Sequence, residues 1–448
     1  MRLLLLQVPT SHLGAGERVY PLGLSRLAGA LPLDHVQVEG LDLNLYGDPW
    51  PHLKEVLTDY RPDTVALSFR NLDPLAGHHA SYLSALKTTA VVVRKLLPNT
   101  RIVAGGPAFS LFAERLMVEI PELDAGIVGE AENSFVRMLS GESDPGRIPG
   151  TVWRCGDHVQ LNPLGEKIDL DRLPALNTRV FQPRKYIDGN KYVAAMGIEG
   201  KRGCNLDCAY CVYPYLGGKK TRLRHPNKIV DEMAYLHKAH GVSLFHFTDG
   251  VLNHPTDHFE EVCREMIRRK MGVGWTGFFR EDTLTVELTL LAMAAGLVAI
   301  YFSGDALTDR GLTLLNKRLN VSDLLKAAKI TSECNVLTMC HFLVNLPGED
   351  KGQARKAEDT LDRLLDIHAA RGNLGAVIFN NVRLYPNAPL TRRLLRNGEL
   401  DSNLDFLYPV YFDPPQTAHR RYKLESRCHL AGVLSRLAIS SSNEGNLS

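Results

Sequence analysis

Two series of strand-length apolar runs, each run followed by an amphipathic stretch, fill most of the 448-residue sequence and restrict it to folds built on parallel sheets. The first series is "RLLLLQVP" at 2–9, "VQVEGLDL" at 36–43, "TVALSFRN" at 64–71, "RIVAGGPAF" at 101–109 and "DAGIVGE" at 124–130. Between these runs "GLSRLAGAL", "PHLKEVLTDY" and "YLSALKTTAVVVRKLL" repeat apolar residues at helical spacing. Strands without polar alternation are buried on both faces, so this half reads as a doubly wound, Rossmann-like parallel sheet. The second series is "YVAAMGIEG" at 192–200, "SLFHFTDG" at 243–250, "GVGWTGFF" at 272–279, "GLVAIYFSG" at 296–304, "LTMCHFLVN" at 337–345 and "GAVIFNNVRL" at 375–384. Helical stretches such as "PNKIVDEMAYLHKAH" and "SDLLKAAKITSECN" separate them, so six strand–helix units predict a partial (β/α)6 barrel of the TIM type. Turn formers in "SGESDPGRIPGT" and a hairpin pattern in "VWRCGDHVQLNP" mark the junction. The expected division is therefore a sheet domain at 1–150, a linker with a small hairpin at 151–190, the barrel at 191–395 and a short helical tail at 396–448.

Charge and composition narrow the function. A net charge of +2 gives no electrostatic footprint for nucleic acid or an acidic membrane. The apolar start "MRLLLLQVPTSHLGAG" is too short and wrongly flanked for a signal peptide, and no apolar run approaches the roughly 18 residues of a membrane span. Of eight cysteines, Cys155, Cys263, Cys334, Cys340 and Cys428 are scattered, which predicts a reducing cytoplasm rather than a disulfide framework.

The other three crowd into "RGCNLDCAYCVYP", directly after the first barrel strand and so on the barrel's working face. Cys204, Cys208 and Cys211, at C-x3-C-x2-C spacing, can serve one centre from a single loop. Zinc would need a fourth donor from His225, Cys155 or Cys428. An iron–sulfur cluster held by three thiolates would keep one iron open; a purely structural cysteine group is the third alternative. In the first domain, Arg70-Asn71, Gly105-Gly106-Pro107 and Gly129-Glu130 fall at strand carboxyl ends, where such sheets bind ligands and where glycine admits close backbone approach. Tight strand-to-helix turns account for the same glycines. Lys219, Lys220, Arg222 and Arg224, and likewise Lys317-Arg318, read either as anion contacts or as solvated basic faces. His246, His341 and Tyr385 read as core residues.

The cysteine motif, with Tyr210 before its last cysteine, resembles that of radical S-adenosylmethionine (radical SAM) enzymes. The resemblance implies a [4Fe-4S] cluster on Cys204, Cys208 and Cys211. Its open iron would chelate SAM, and a reductant such as flavodoxin or ferredoxin would supply the electron. Tyr210 would lie against adenine. "FTDGVLNHP" resembles the segment that holds the SAM amino group, implicating Thr248, Asp249 and Gly250. "YFSGDALTD" resembles the fourth-strand end, implicating Ser303 and Asp305, the latter where glutamate is common. "LVNLPGED" resembles a GxPGE turn with Asn345 in place of the first glycine, and "VRLYPNAPL" resembles the sixth-strand segment.

The first domain resembles the cobalamin-binding domain of a radical SAM subgroup through "SFRNLDPL", "VAGGPAFS" and "GIVGEAENSF". That likeness implies cobalamin contacts from Arg70, Asn71, Gly105, Gly106, Pro107, Gly129 and Glu130. The D-x-H-x-x-G signature is absent, so Arg70 would stand at the cobalt's lower face. In the tail, "ESRCHLAGV" faintly resembles an Arg-Cys-Cys-Leu-Lys-Cys ending but reads as an amphipathic helix. The implied activity is methyl transfer to a small, natural-product-like molecule. SAM cleavage with aminocarboxypropyl transfer or another radical rearrangement, and a non-catalytic zinc or cluster protein, are the alternatives.

Overall fold

Leu3, Leu4, Leu5 and Leu6 have no exposed surface, because their strand lies inside a sheet that helices cover on both faces. The computed structural model describes residues 1–10, 18–32, 35–74, 80–142, 144–187, 192–414 and 417–435. The end of the expected tail, 436–448, lies outside the described residues. Contacts divide the chain into two units, the boundary falling between Met196 and Gly197.

In the first unit, β1 (Arg2–Gln7), β2 (Gln37–Asp42), β3 (Thr64–Ser68), β4 (Arg101–Gly105) and β5 (Ala125–Ile127) are parallel. β6 (Thr151–Cys155) and β7 (His158–Leu161) continue the sheet antiparallel, in the order β2-β1-β3-β4-β5-β6-β7. The order reverses at β1, so right-handed crossovers place the first helix on one face and those that follow β2 and β3 together on the other. The helix Leu22–Ala30 accordingly packs with Glu132–Leu139, and Pro49–Tyr60 with Leu83–Leu96. The hairpin read from the sequence as part of a linker is joined to β5 as two further strands of this sheet.

In the second unit, β8 (Met196–Ile198) is followed by a two-stranded hairpin, β9 (Lys201–Arg202) with β10 (Arg222–Leu223). Then come β11 (Leu244–Phe247), β12 (Gly274–Phe279), β13 (Leu297–Asp305), β14 (Leu337–Val344), β15 (Leu374–Arg383) and β16 (Tyr411–Phe412). The sheet order is β16-β15-β14-β13-β12-β11-β8, with β11 through β15 parallel and β16 an antiparallel edge. The six expected barrel strands all form; β16 is additional.

Side-chain alternation sorts this sheet into two faces. Trp275 and Phe279 meet Phe259 of the helix Thr256–Arg268 on the helix-covered side, Phe247 meets Trp275 there, and Trp275 Nε1 donates to Ala295 O at 2.9 Å. His246, Phe278, Tyr301 and His341 meet one another on the opposite face. Helix starts carry their own stops and caps: Asn320 and Asp323 form a reciprocal capping box, and Asp350 accepts from Gln353 N at 2.8 Å. Within the tail, Ala418–Leu430 is helical with Cys428 buried, as its amphipathic pattern predicts.

Candidate functional site

The cysteine loop leaves β8 and is closed at its base by the β9–β10 hairpin. Gly203 has φ 80, and a Cβ there would stand 2.3 Å from Lys220 O, so only glycine fits at the neck. Cys204 N donates to Gly218 O at 3.0 Å and Cys211 N to Cys208 O at 3.1 Å. Ala209, between the second and third cysteines, is held at both backbone groups: its N–H donates to Leu315 O at 2.8 Å and its carbonyl accepts from Leu390 N at 2.7 Å. Asn316 Nδ2 donates to Asp207 O at 2.8 Å, and Arg318 pairs with the Asp207 carboxylate at 3.5 Å. The loop is therefore braced by the return segment after Asp309–Leu314 and by the start of the helix Pro389–Arg396.

The thiols act on one another. Burial pushes Cys211 up to about 12, with Cys208 and Cys204 adding to the rise while Tyr213 N–H opposes it. Burial also raises Cys208, and Lys317 pulls it back. Among the described residues no three His, Cys, Asp or Glu side chains close on a single point as one ion requires. The donor set itself fits a cluster: three thiols on one short loop, their anionic forms disfavoured until a cationic group compensates them.

Beside the loop lies a charge cluster that the motif reading largely missed. Lys317 Nζ meets Asp305 Oδ2 at 2.6 Å and donates to Ser303 O at 2.7 Å; both side chains of the pair are under a tenth exposed, at 7% and 8%. Tyr210 OH donates to the same Asp305 oxygen at 2.5 Å. Burial works against the Lys317 charge, but Asp305, Cys208 and Glu281 more than offset it, so the ammonium is held. Asp305 adopts φ 64, the left-handed region, just past a register shift in β13. Its carboxylate thus ties the cysteine loop to the fourth barrel strand through Tyr210. Arg280, at the end of β12, caps the same return segment by donating to Lys317 O at 2.9 Å and Arg318 O at 3.1 Å, and pairs with Asp282. Its neighbour Glu281 is buried with neither carboxyl oxygen hydrogen-bonded among the described residues. The signal was present in "FFRED": charged residues directly after an apolar strand mark its carboxyl end.

The remaining expected SAM contacts occupy the ends of β11 and β14. Thr248 is exposed and its N–H donates to Ile198 O at 2.9 Å. Asp249 is turned inward: Oδ1 accepts from Gly200 N at 2.8 Å and Lys201 N at 3.1 Å, fixing the start of the cysteine loop. Burial lifts its pKa to about 6, with Lys201 opposing. Gly250 faces the Tyr213 ring, which a Cβ would meet at 3.5 Å. Asn345, at φ 57, donates from Nδ2 to Asp413 Oδ1 at 2.8 Å. Asp249 Oδ2 and Asn345 Oδ1 are buried acceptors without a donor among the described residues. Of the basic run, Lys219 and Lys220 are exposed, whereas Arg224 is buried in an ion pair with Glu232 at 2.9 Å.

In the first unit the expected ligand residues line the carboxyl edge of the sheet. Gly106 has φ 105, and a Cβ would lie 2.7 Å from Phe69 O, so the β4 turn and its Pro107 can sit this close to the β3 end only with glycine. Ala108 N donates to that same Phe69 carbonyl at 3.1 Å. Arg70 and Asn71 follow Phe69, both partly exposed, as is Gly105. Gly129 N donates to Ser110 Oγ at 3.0 Å. Glu130 holds a strap: Oε2 accepts from Ile168 N at 3.1 Å and Oε1 pairs with Lys167 at 3.8 Å. A cavity of about 330 Å³ opens between Gly129, Glu130 and this strap. Glycine backbone at the carboxyl ends of parallel strands is where such sheets admit a ligand.

Comparison with known proteins bears on both units. The profile of the radical SAM superfamily matches residues 198–361, and that of the B12 binding domain matches residues 13–139. The anaerobic magnesium-protoporphyrin IX monomethyl ester cyclase of Rubrivivax gelatinosus is 27% identical over 375 residues, 78% of this chain and 63% of its own length. Cytidylyl-2-hydroxyethylphosphonate methyltransferase of Streptomyces wedmorensis is 23% identical over 439 residues, 85% of this chain and 79% of that protein. The fold of the radical SAM methyltransferase TsrM of Kitasatospora setae, solved with tryptophan substrate and a SAM analogue, superposes with TM-score 0.76 at 21% identity, covering 93% of this chain and 81% of that one. Among the described residues no helix is long and apolar enough to cross a membrane. With a cysteine loop on a parallel half-barrel and a glycine-edged sheet ahead of it in the sequence, the chain carries a radical SAM domain and a B12-binding domain.

Proposed function

We propose that the protein is a cobalamin-dependent radical SAM methyltransferase acting on a small organic molecule at an unactivated carbon or phosphorus. The observation that carries this reading is the pairing, in one chain, of a braced three-cysteine barrel loop with a B12-type domain. The names of two similar proteins, both methyltransferases, support it. Cys204, Cys208 and Cys211 would hold a [4Fe-4S] cluster. Tyr210, Thr248, Gly250, Ser303 and Asn345 would face SAM. Arg70, Asn71, Gly105, Gly106, Pro107 and Gly129 would face the corrinoid, with Glu130 holding the strap beside it.

When bound, the cluster supplies electrons at low potential and the corrinoid a carrier for the methyl group. The chain's own contribution is placement and charge. Asp305 and Asp249 act through Tyr210 and the Gly200–Lys201 backbone, fixing both ends of the cysteine loop. Lys317 sets a buried positive charge beside Cys208, which offsets part of the negative charge that thiolates bring. A small reductant protein of the flavodoxin or ferredoxin kind would deliver electrons, in a reducing cytoplasm.

Anaerobic purification followed by iron, sulfide and corrinoid assays, then reduction in the presence of SAM, tests the proposal. S-adenosylhomocysteine with a methylated product is expected. Methylthioadenosine would indicate aminocarboxypropyl transfer instead. 5′-Deoxyadenosine without methylation would favour a rearrangement or ring closure, the chemistry that the similar cyclase's name implies.

A further inference from the structure

Two helices of the second unit, Lys351–Ala369 and Ala418–Leu430, pack side by side. The first follows the turn after β14, and the second follows β16, which pairs with the carboxyl end of β15. Lys351, Arg355, Glu358 and Asp362 recur about one turn apart along one face of the first helix, and Arg420, Lys423 and Arg427 do so along the second.

The two stripes match at one end and clash at the other. Further along the helices opposite charges meet: Arg427 reaches Glu358 at 2.7 Å and Asp362 at 2.5 Å. At their starts like charges meet, because Lys351 and Arg355 of one helix line the same cavity as Arg420 and Lys423 of the other.

Every acid on the wall of that cavity is already engaged. Glu358 belongs to Arg427. Glu349 stands 3.6 Å from Arg420, and its Oε2 accepts from Leu346 N at 3.0 Å. Asp350 caps the first helix by accepting from Gln353 N at 2.8 Å, and lies 4.0 Å from Arg310. Lys351, Arg355 and Lys423 are exposed and have no acidic partner among the described residues. The cavity therefore keeps their positive charge uncompensated, and the first turns of both helices add the positive ends of their dipoles. Like charges on facing turns repel, whereas a multiply charged anion between them converts each repulsion into attraction.

Size and lining narrow the anion. The cavity holds about 880 Å³, far more than one inorganic phosphate fills, and Leu346, Phe412 and Pro414 give it an apolar wall. A single phosphate carries up to about two negative charges near neutral pH, and a second phosphate brings the total to about three, one for each unpaired cation.

We propose that this cavity binds an organic diphosphate, its phosphate oxygens held by Lys351, Arg355 and Lys423 and its organic part laid along Leu346, Phe412 and Pro414. The site goes beyond the methyl-transfer reading. None of these residues is assigned to the cluster, SAM or the corrinoid, so either conclusion can fail without the other.

Calorimetric titration of the anaerobic holoenzyme with uridine diphosphate, pyrophosphate and orthophosphate, in magnesium-free buffer at about 0.1 M salt, tests it. Uridine diphosphate is expected to bind about tenfold more tightly than orthophosphate and about threefold more tightly than pyrophosphate. Arg355→Gln and Lys423→Gln, both at exposed positions, should each weaken it by about fivefold. Lys356→Gln, on the same helix but off the cavity wall, should leave binding within about twofold. Four results would overturn the assignment: no binding of uridine diphosphate by the native protein, orthophosphate bound as tightly, pyrophosphate preferred, or a loss from Lys356→Gln equal to that from Arg355→Gln. The SAM product assay, read separately on the same preparation, decides methyl transfer and leaves this site untouched.

Discussion

Replacing Glu281 by glutamine removes a buried acid whose ionisation the fold resists. Glu281 is 4% exposed and lies on the helix-covered side of the sheet. A Cβ placed on Gly304 would meet its Oε1 at 3.2 Å, beside Leu324 and Phe342 at 3.1 Å. Burial is the main influence on it, opposed by Lys317 and Arg280 and reinforced by Asp305, and it carries the pKa from an ordinary 4.5 to about 7. That displacement is worth about 3 kcal/mol against the ionised form in the folded state. The native protein keeps this proton up to about pH 7, whereas the unfolded chain has released it by then. Stability from this group is therefore fully present below the ordinary glutamate range and lost as pH rises through the folded value. About 2.5 kcal/mol of the loss falls between pH 5 and pH 8.

Glu281→Gln carries no titrating proton, so subtracting its stability from that of the native chain isolates this one group from all others. Urea unfolding followed through the buried Trp275 should show the variant gaining about 2.5 kcal/mol relative to the native chain between those two pH values. A stability difference that does not change with pH would refute the reasoning, since it would mean that Glu281 ionises as freely folded as unfolded.

Four further outcomes are expected. Lys317→Met strands Asp305 beside Tyr210 and should cost about 3–5 kcal/mol, with Asp305→Asn/Lys317→Met recovering part of it; a coupling below about 1 kcal/mol in that double-mutant cycle would contradict the buried pair. Cys208→Ala should reduce bound iron and sulfide to background and abolish SAM cleavage, with far-ultraviolet circular dichroism unchanged; retained turnover would remove the loop from the site. Gly106→Ala forces a side chain to φ 105 within 2.7 Å of Phe69 O. It should cost about 1–3 kcal/mol and reduce the corrinoid retained on purification, and undiminished corrinoid would count against the β4 edge as its seat. Arg70→Ala should alter the corrinoid absorption spectrum; an unchanged spectrum would take Arg70 out of the site.

Every barrel strand and every parallel strand of the first sheet was legible as an apolar run, because strand formation in a sheet buried on both faces depends on composition over a few adjacent residues. The cysteine loop was legible for a similar reason: three ligands at short spacing are a local pattern. What escaped were contacts made across the fold. Lys317 looked like half of a basic dipeptide, yet it sits on a return loop, between Asn316 at φ 51 and Arg318 at φ 53, that carries its ammonium back to Asp305. Asp249 lay within a stretch resembling a cofactor motif, yet its Oδ1 is spent on the Gly200 and Lys201 backbone. The 151–161 hairpin was recognised from its own pattern, but the strand it would pair with was not.

The amino-acid sequence alone thus determined which segments become strands and helices, their order, and the short-range cysteine motif of the radical SAM domain, since each rests on neighbours along the backbone. Only the tertiary structure decided which charges meet, which carbonyls are left without donors and which rings share a face. Those depend on loop geometry and strand register, where a shift of one residue turns every side chain to the other side of the sheet.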